Sequence, residues 1–385
     1  MLTKNIKFKN FLIKNKKKNI SKKLKSLLSE NNEILKTLSV RYKYSYTKKI
    51  VSKFKKYQNI TLIGMGGSIL GSQAIYDFIK HKIKKKVFFV NNLDSRFFKK
   101  KKVNKNLNLI ISKSGNTLET ITNSNILIKK NDKNIFITEK TNNYLSNLGK
   151  KLRAEIIEHK NYIGGRYSVL SEVGMLPAEL MGLDEKKFKQ FDNLIKNKFF
   201  LNNLIANVES TLHFLKNGKF TSVILNYDEQ SESIFKWYQQ LIAESIGKKS
   251  KGILPVISSM PKDNHSLMQF YLDGPKKSFY TFFYVHGNNL TKINSNQLLA
   301  TANYLKNKDV QKIIYSQKLA TENVFKKKKI PFRSFEIVNR DEKSLGELFS
   351  FFIMETILLG RALNVNPFDQ PSVELIKKET KKILT

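Results

Sequence analysis

Short apolar runs recur along much of this chain. Each is followed by a stretch in which apolar residues return every three to four positions. From residue 58 the runs Ile60–Gly64, Val87–Val90, Leu107–Ile111 and Asn134–Thr138 predict buried strands, with helical patterns between them. Residues from about 150 to 218 read as mainly helical, interrupted by the Gly-Gly turn at 164–165. A second alternating series follows, with strands predicted at Ser222–Asn226, Ile253–Ser258, Phe279–Val285 and Phe332–Val338. Strands alternating with helices specify a parallel, doubly wound sheet. The expectation is therefore two α/β doubly wound parallel-sheet domains of flavodoxin-like type, with extra terminal helices. The predicted organisation is a helical N-terminal segment over 1–57, a first domain over 58–200, a second over 201–365 and a C-terminal segment over 366–385.

Two strand-to-helix loops stand out. Ser112-Lys113-Ser114-Gly115-Asn116-Thr117 joins an apolar strand to a helix beginning near Leu118. Unpaired amides at a helix start and the helix dipole favour an anion there. Ser112, Ser114 and Thr117 add hydroxyl donors, and Gly115 lets the backbone come close. The expected guest is a monophosphate, and the structural alternative is an ordinary capped helix. The second loop is Gly64-Met65-Gly66-Gly67-Ser68. It lacks the third glycine and the following acidic residue of a dinucleotide fingerprint. Its glycines suggest a floor where backbone meets a ligand, or a tight turn requiring positive φ.

Composition narrows the class. At 385 residues and 41% hydrophobic content, the chain can bury a large core. It contains no cysteine, which excludes disulfides and cysteine-based metal sites and suits a reducing cytoplasm. No run of about 18 apolar residues suggests a membrane span, and no secretory signal is evident at the N-terminus. The formal net charge is +39, yet only seven of the 70 basic residues are Arg. Arg is the usual reader of bases and phosphates. The charge therefore reads as drift toward Lys rather than nucleic-acid binding. Runs such as Lys16–Lys18, Lys99–Lys102 and Lys326–Lys329 read as solvated loops or helix ends.

Four further segments place polar residues in apolar surroundings. Arg166 follows two glycines. Gln240 and Glu244 are four apart and share a helix face, where Glu244 could serve as a base or pair with Lys248. His265 lies in a polar turn before an apolar helix, and Lys377 lies three residues after Glu374. Taken singly, each has an ordinary structural explanation.

Together they form an ordered set of motifs: Gly-Met-Gly-Gly-Ser (64–68), Ser-Lys-Ser-Gly-Asn-Thr-x-Glu-Thr (112–120), Gly-Gly-Arg-Tyr-Ser (164–168), Ala-Glu-Ser-x-Gly-Lys (243–248), Asp-x-His-Ser (263–266) and Phe-Asp-Gln-Pro-x-Val-Glu-x-x-Lys (368–377). In this order they resemble the glucose-6-phosphate isomerase (phosphoglucose isomerase) family, built from two sugar-isomerase (SIS) domains, from about residue 58 onward. The resemblance implies a cytoplasmic enzyme that interconverts glucose 6-phosphate and fructose 6-phosphate through ring opening and a cis-enediolate. It implies Glu244 as the base between C1 and C2 and Arg166 as the cation beside the enediolate. His265 and Lys377 would assist ring opening. Gly67, Ser68, Gln240 and the 112–117 loop (Ser112, Lys113, Ser114, Gly115, Asn116, Thr117) would bind substrate. It implies no cofactor, no metal and a homodimer in which His265 serves the neighbouring subunit.

The chain departs from the family pattern at Ser372, where Gly is usual, and at Glu172, where a small residue is usual. It also has a short N-terminal region. A bifunctional relative would also turn over mannose 6-phosphate. A sugar-phosphate sensor on the same fold would bind without turnover. A nucleic-acid binder would show steeply salt-dependent association.

Overall fold

A computed structural model describes residues 2–13, 18–94, 106–129, 132–287 and 291–385. The Lys99–Lys102 run, and Lys16 and Lys17, lie outside the described residues.

Among the described residues, ten strands form two five-stranded sheets. They are β1 (Ile6–Lys9), β2 (Asn59–Gly64), β3 (Lys86–Val90), β4 (Asn106–Ile111), β5 (Lys133–Thr138), β6 (Glu155–Glu158), β7 (Thr221–Asn226), β8 (Leu254–Ser259), β9 (Ser278–Val285) and β10 (Phe332–Ile337). All eight predicted strands are present, within two residues of their expected ends.

The first sheet runs β3-β2-β4-β5-β6, wholly parallel. The second runs β1-β10-β9-β7-β8, parallel except for β1. In each, the second strand of the series lies outside the first and the third lies inside it. This is the flavodoxin-like order, and its switch point is the gap between β2 and β4 in the first sheet. The two loops singled out above leave the carboxyl ends of these two strands.

Two strands depart from the sequence reading. The pattern over residues 1–57 predicts helices, yet Ile6–Lys9 pairs antiparallel with Ser334–Ile337 at the far end of the chain. Only Ile6 of its four residues is buried, so the apolar signal is faint and the partner is remote. β6 falls in the stretch that reads as helical; it is also an edge strand with one buried residue.

Between the sheets, the helix Glu342–Leu363 is buried over nearly its whole length, including Leu345, Phe349, Phe352 and Leu359. A helix apolar on all sides belongs in a core. The helix Leu70–Ile79 of the first half packs on Glu232–Ile246 of the second, so the two sheets meet across a helical layer. Among the described residues no helix is long and apolar enough to cross a membrane.

Candidate active site

The glycine-rich loop folds as it does because Cβ atoms would not fit. Gly66 has φ +51°, and a Cβ there would lie 2.9 Å from the Gln240 Nε2 atom. A Cβ on Gly67 would lie 2.1 Å from the Gly165 carbonyl carbon. The loop is thus pressed against the Gly164–Ser168 turn on one side and against Gln240 on the other. Ser168 Oγ donates to the Gly165 carbonyl at 2.7 Å and approaches the Gly67 carbonyl at 3.3 Å.

That turn delivers Arg166 into the core. The residue is 2% exposed, and all five N–H donors are engaged. Nε donates to Ser245 Oγ at 2.8 Å. Nη1 donates to Glu244 Oε1 at 2.9 Å and to Gln370 Oε1 at 2.8 Å. Nη2 donates to the carbonyls of Pro367 and Asp369 at 2.8 and 3.0 Å. Beside it, Tyr167 meets Ser245 Oγ at 2.9 Å, and burial pushes its phenol up to about 12.

Glu244 occupies the last turn of the helix Glu232–Ile246. Its other oxygen, Oε2, accepts from Gln240 Nε2 at 2.9 Å. The Gln240 Oε1 atom is buried and accepts no hydrogen bond, an open acceptor next to the carboxylate. The alternative pairing of Glu244 with Lys248 does not form. Lys248 instead clamps the C-terminal loop, donating to the carbonyls of Asn366 and Asp369 and, at 2.6 Å, to Asp369 Oδ1. That bond, together with Asn366, holds the Asp369 carboxyl below its ordinary range. Arg166 and Lys248 together fasten residues 366–370 over the end of this helix. Gln370, Asp369 and Ser245 carry no role in the sequence reading, although 368–370 belong to one of its motifs.

A cleft of about 800 Å³ opens beside Gly66, Gln240 and Glu244 and continues past Asp77 and Glu232.

The 112–117 loop is shaped for close approach. Gly115 has φ +67°, and a Cβ there would lie 1.9 Å from Asn143 Oδ1. Ser112 Oγ and Thr117 Oγ1 meet at 2.8 Å, and Thr117 does not cap the helix Leu118–Leu127 with its side chain. Its first-turn amides are therefore not taken up by the N-cap side chain. Ser114 and Asn116 are exposed, and Lys113 lies 3.7 Å from Glu139. Ser68, 8% exposed, closes the neighbouring loop, since Gly64 pairs with Ile111 across β2 and β4.

His265 and Lys377 are not brought to Glu244 within this chain. His265 is exposed in the turn after β8, whose shape is fixed by Asp263 accepting from Ser259 N at 2.8 Å and from Ser258 and Ser266 at 3.0 Å. Lys377 is exposed on the helix Val373–Leu384, with its ammonium 2.6 Å from Glu374. Among the described residues no cluster of three or more His, Asp or Glu is placed to hold a metal ion.

The fold and these loops define a class: α/β proteins with paired parallel sheets and glycine- and serine-rich loops at the strand ends. A protein of Thermus thermophilus, solved as a hypothetical protein, superposes with a TM-score of 0.82 at 21% identity, covering 96% of this chain and 94% of that one. A glucose-6-phosphate isomerase from Chlamydia trachomatis superposes with a TM-score of 0.69 at 18% identity, covering 91% and 77%. By sequence the match is closer. The model of the family Phosphoglucose isomerase matches residues 12–260. A glucose-6-phosphate isomerase of Methanocaldococcus jannaschii is 35% identical over 84% of this chain and 83% of its own length. One from Mycoplasmopsis pulmonis is 32% identical over 86% and 84%. The chain belongs to the phosphoglucose isomerase family.

Proposed function

We propose that this enzyme interconverts glucose 6-phosphate and fructose 6-phosphate, with Glu244 as the proton carrier and Arg166 as the fixed positive charge. The observation that carries the reading is the contact of Arg166 Nη1 with Glu244 Oε1 at 2.9 Å, beside the open acceptor of Gln240. A proton next to a carbonyl is removed by a carboxylate, and the negative charge that develops needs a preorganised cation. With the open-chain aldose bound, a Glu244 oxygen takes the C2 proton and the electron pair shifts to O1. Return of the proton to C1, with the O2 hydroxyl proton passing to O1, leaves the ketone at C2. The exposed Gln370 is the Arg166 partner a substrate oxygen would replace, and Gln240 Oε1 would accept from a sugar hydroxyl.

The sugar phosphate would rest on Ser112, Lys113, Ser114, Gly115, Asn116 and Thr117, with Gly67 and Ser68 beneath the sugar. Phosphate binding remote from the reacting carbons holds them in place. Ring opening falls to His265 and Lys377. Because His265 is not brought to Glu244 of its own chain, we assign it to the neighbouring subunit of a homodimer; Leu267 and Phe270, 37% and 57% exposed, flank it as apolar contact surface. Lys377 would arrive when its helix docks. The reaction needs no metal or cofactor, and its setting is the cytoplasm.

The test is a coupled assay. Fructose 6-phosphate is supplied with glucose-6-phosphate dehydrogenase and NADP, with and without chelator, across a dilution series. NADPH formation that survives chelation is expected, with activity per chain falling as a dimer dissociates. Folded protein that binds sugar phosphates without turnover would overturn the catalytic reading in favour of a sensor.

A further inference from the structure

A second buried polar cluster lies behind the Arg166 turn, built from residues that the proposed chemistry does not use. At its centre is Lys189, 4% exposed, at the end of the helix Glu185–Phe188. Among the described residues its ammonium has no carboxylate partner within ion-pairing distance; it donates instead to two backbone carbonyls, those of Thr37 and Leu170. Thr37 lies in the N-terminal helix Glu33–Leu38 and is wholly buried. Leu170 is the last residue of the 3-10 segment Gly165–Leu170, the same short element that carries Arg166. The rings of Tyr42 and Tyr44 lie 5.1 and 5.0 Å from the ammonium. Two carbonyls and two aromatic faces are a cation cage, here filled by a side chain of the same chain.

The cage also accounts for the departure at position 172. Glu172, wholly buried, accepts from Tyr42 Oη at 2.9 Å and from the Lys160 amide at 3.3 Å. A carboxylate at the first turn of the helix Glu172–Leu180 thus binds the segment that supplies the cage. Tyr46 repeats the arrangement further along, donating to Glu179 at 2.6 Å. Next to the Leu170 carbonyl, side-chain hydrogen bonds brace the same segment. Ser171 Oγ donates to the Ser168 carbonyl at 2.8 Å, and Ser168 Oγ reaches the Gly165 and Gly67 carbonyls.

We infer that Lys189 is a positioning residue for Arg166: by tying the Leu170 carbonyl to the Thr37 carbonyl, it anchors the Arg166 segment against the N-terminal region. This rests on the proposed role of Arg166. A helix cap or a packed apolar side chain could fill the space, but only a donor with several N–H groups can hold both carbonyls at once. The cost of losing it falls on geometry. A displacement of about 1 Å at a reacting group can cost about 100-fold in rate.

The experiment is a double-mutant cycle in kcat and KM on the full chain. Lys189→Met, which keeps the stem and removes the donors, should lower kcat about 10- to 100-fold with a KM for fructose 6-phosphate within about threefold, because the 112–117 loop lies on a different element. Combined with Arg166→Lys, its effect should shrink markedly; combined with Ser112→Ala, it should add in full. Lys189→Gln, whose shorter amide cannot span both carbonyls, provides the same comparison should the methionine variant not fold, and Lys189→Arg, which keeps several donors, should recover part of kcat. An unchanged kcat in folded Lys189→Met or Lys189→Gln, or full additivity with Arg166→Lys, would overturn the inference. If Arg166→Lys itself leaves kcat unchanged, the role of Arg166 falls and the inference falls with it.

Discussion

At the scale of single residues, the proposed base is held from both sides. Glu244 is bound on one oxygen by Arg166 and on the other by Gln240, both at 2.9 Å, so its direction is fixed by contacts from two elements. Glu244→Gln keeps the shape and both neighbours but removes the proposed base. We expect kcat to fall by about three orders of magnitude or more while a sugar phosphate still binds, as read by titration calorimetry. Equal loss of binding and turnover would make Glu244 a structural residue. The partnership could not be read from sequence, because Lys248 at i+4 is the more obvious partner on a helix. Residue 248 is drawn away by Asp369, and Arg166 arrives from 78 positions upstream. Such a contact is set by tertiary packing and leaves no local periodicity.

At the scale of elements, what was legible follows how deeply each element is buried. β2, β4 and β5 have long apolar runs, and β7 and β9 likewise, since central parallel strands are covered on both faces. β1 and β6 are edge strands of four residues with one buried side chain each, and they carried no such signal. The glycine and serine loops were legible because positive φ and free amides demand particular residue types. The tyrosine-lined cage around Lys189 was not, since its parts come from distant segments. The helix Val373–Leu384 lies at the other extreme. It has no buried residue, and Leu375, Ile376, Ile383 and Leu384 are all at least 66% exposed. An element that buries nothing adds little stability. Ending the chain after Pro371 keeps the loop clamped by Arg166 and Lys248. The melting temperature should change by no more than about 2 °C. If Lys377 assists ring opening, turnover should still fall about 100-fold. Full activity in the shortened protein would remove Lys377 from the mechanism, and a collapse in melting temperature would mean that the helix packs more closely than its exposure shows.

At the scale of the whole molecule, the surplus of lysine makes stability depend on pH in the alkaline range. Charge of one sign opposes compactness, and a net +39 diminishes as lysines lose protons. The buried cage adds a specific contribution in the same direction. Burial lowers Lys189 from its ordinary 10.5 to about 7 in the folded protein. Between these values the unfolded chain binds the additional proton, so folding stability rises with pH from about 7 toward 10.5. The buried tyrosines act oppositely. Burial pushes Tyr227 and Tyr280 up to about 12, and Tyr42, Tyr44 and Tyr46 higher still. Once pH exceeds about 10, the unfolded chain loses phenolic protons that the folded state retains, and stability declines. The melting temperature should therefore climb between about pH 7 and 9.5 and turn over near pH 10 or above. Thermal melts at fixed ionic strength should show that rise in the natural protein and a shallower one in Lys189→Met, the difference isolating the cage from the general charge. A melting temperature that stays flat or falls across this rising window in the natural protein would mean that the Lys189 ammonium is solvated or paired in the folded state.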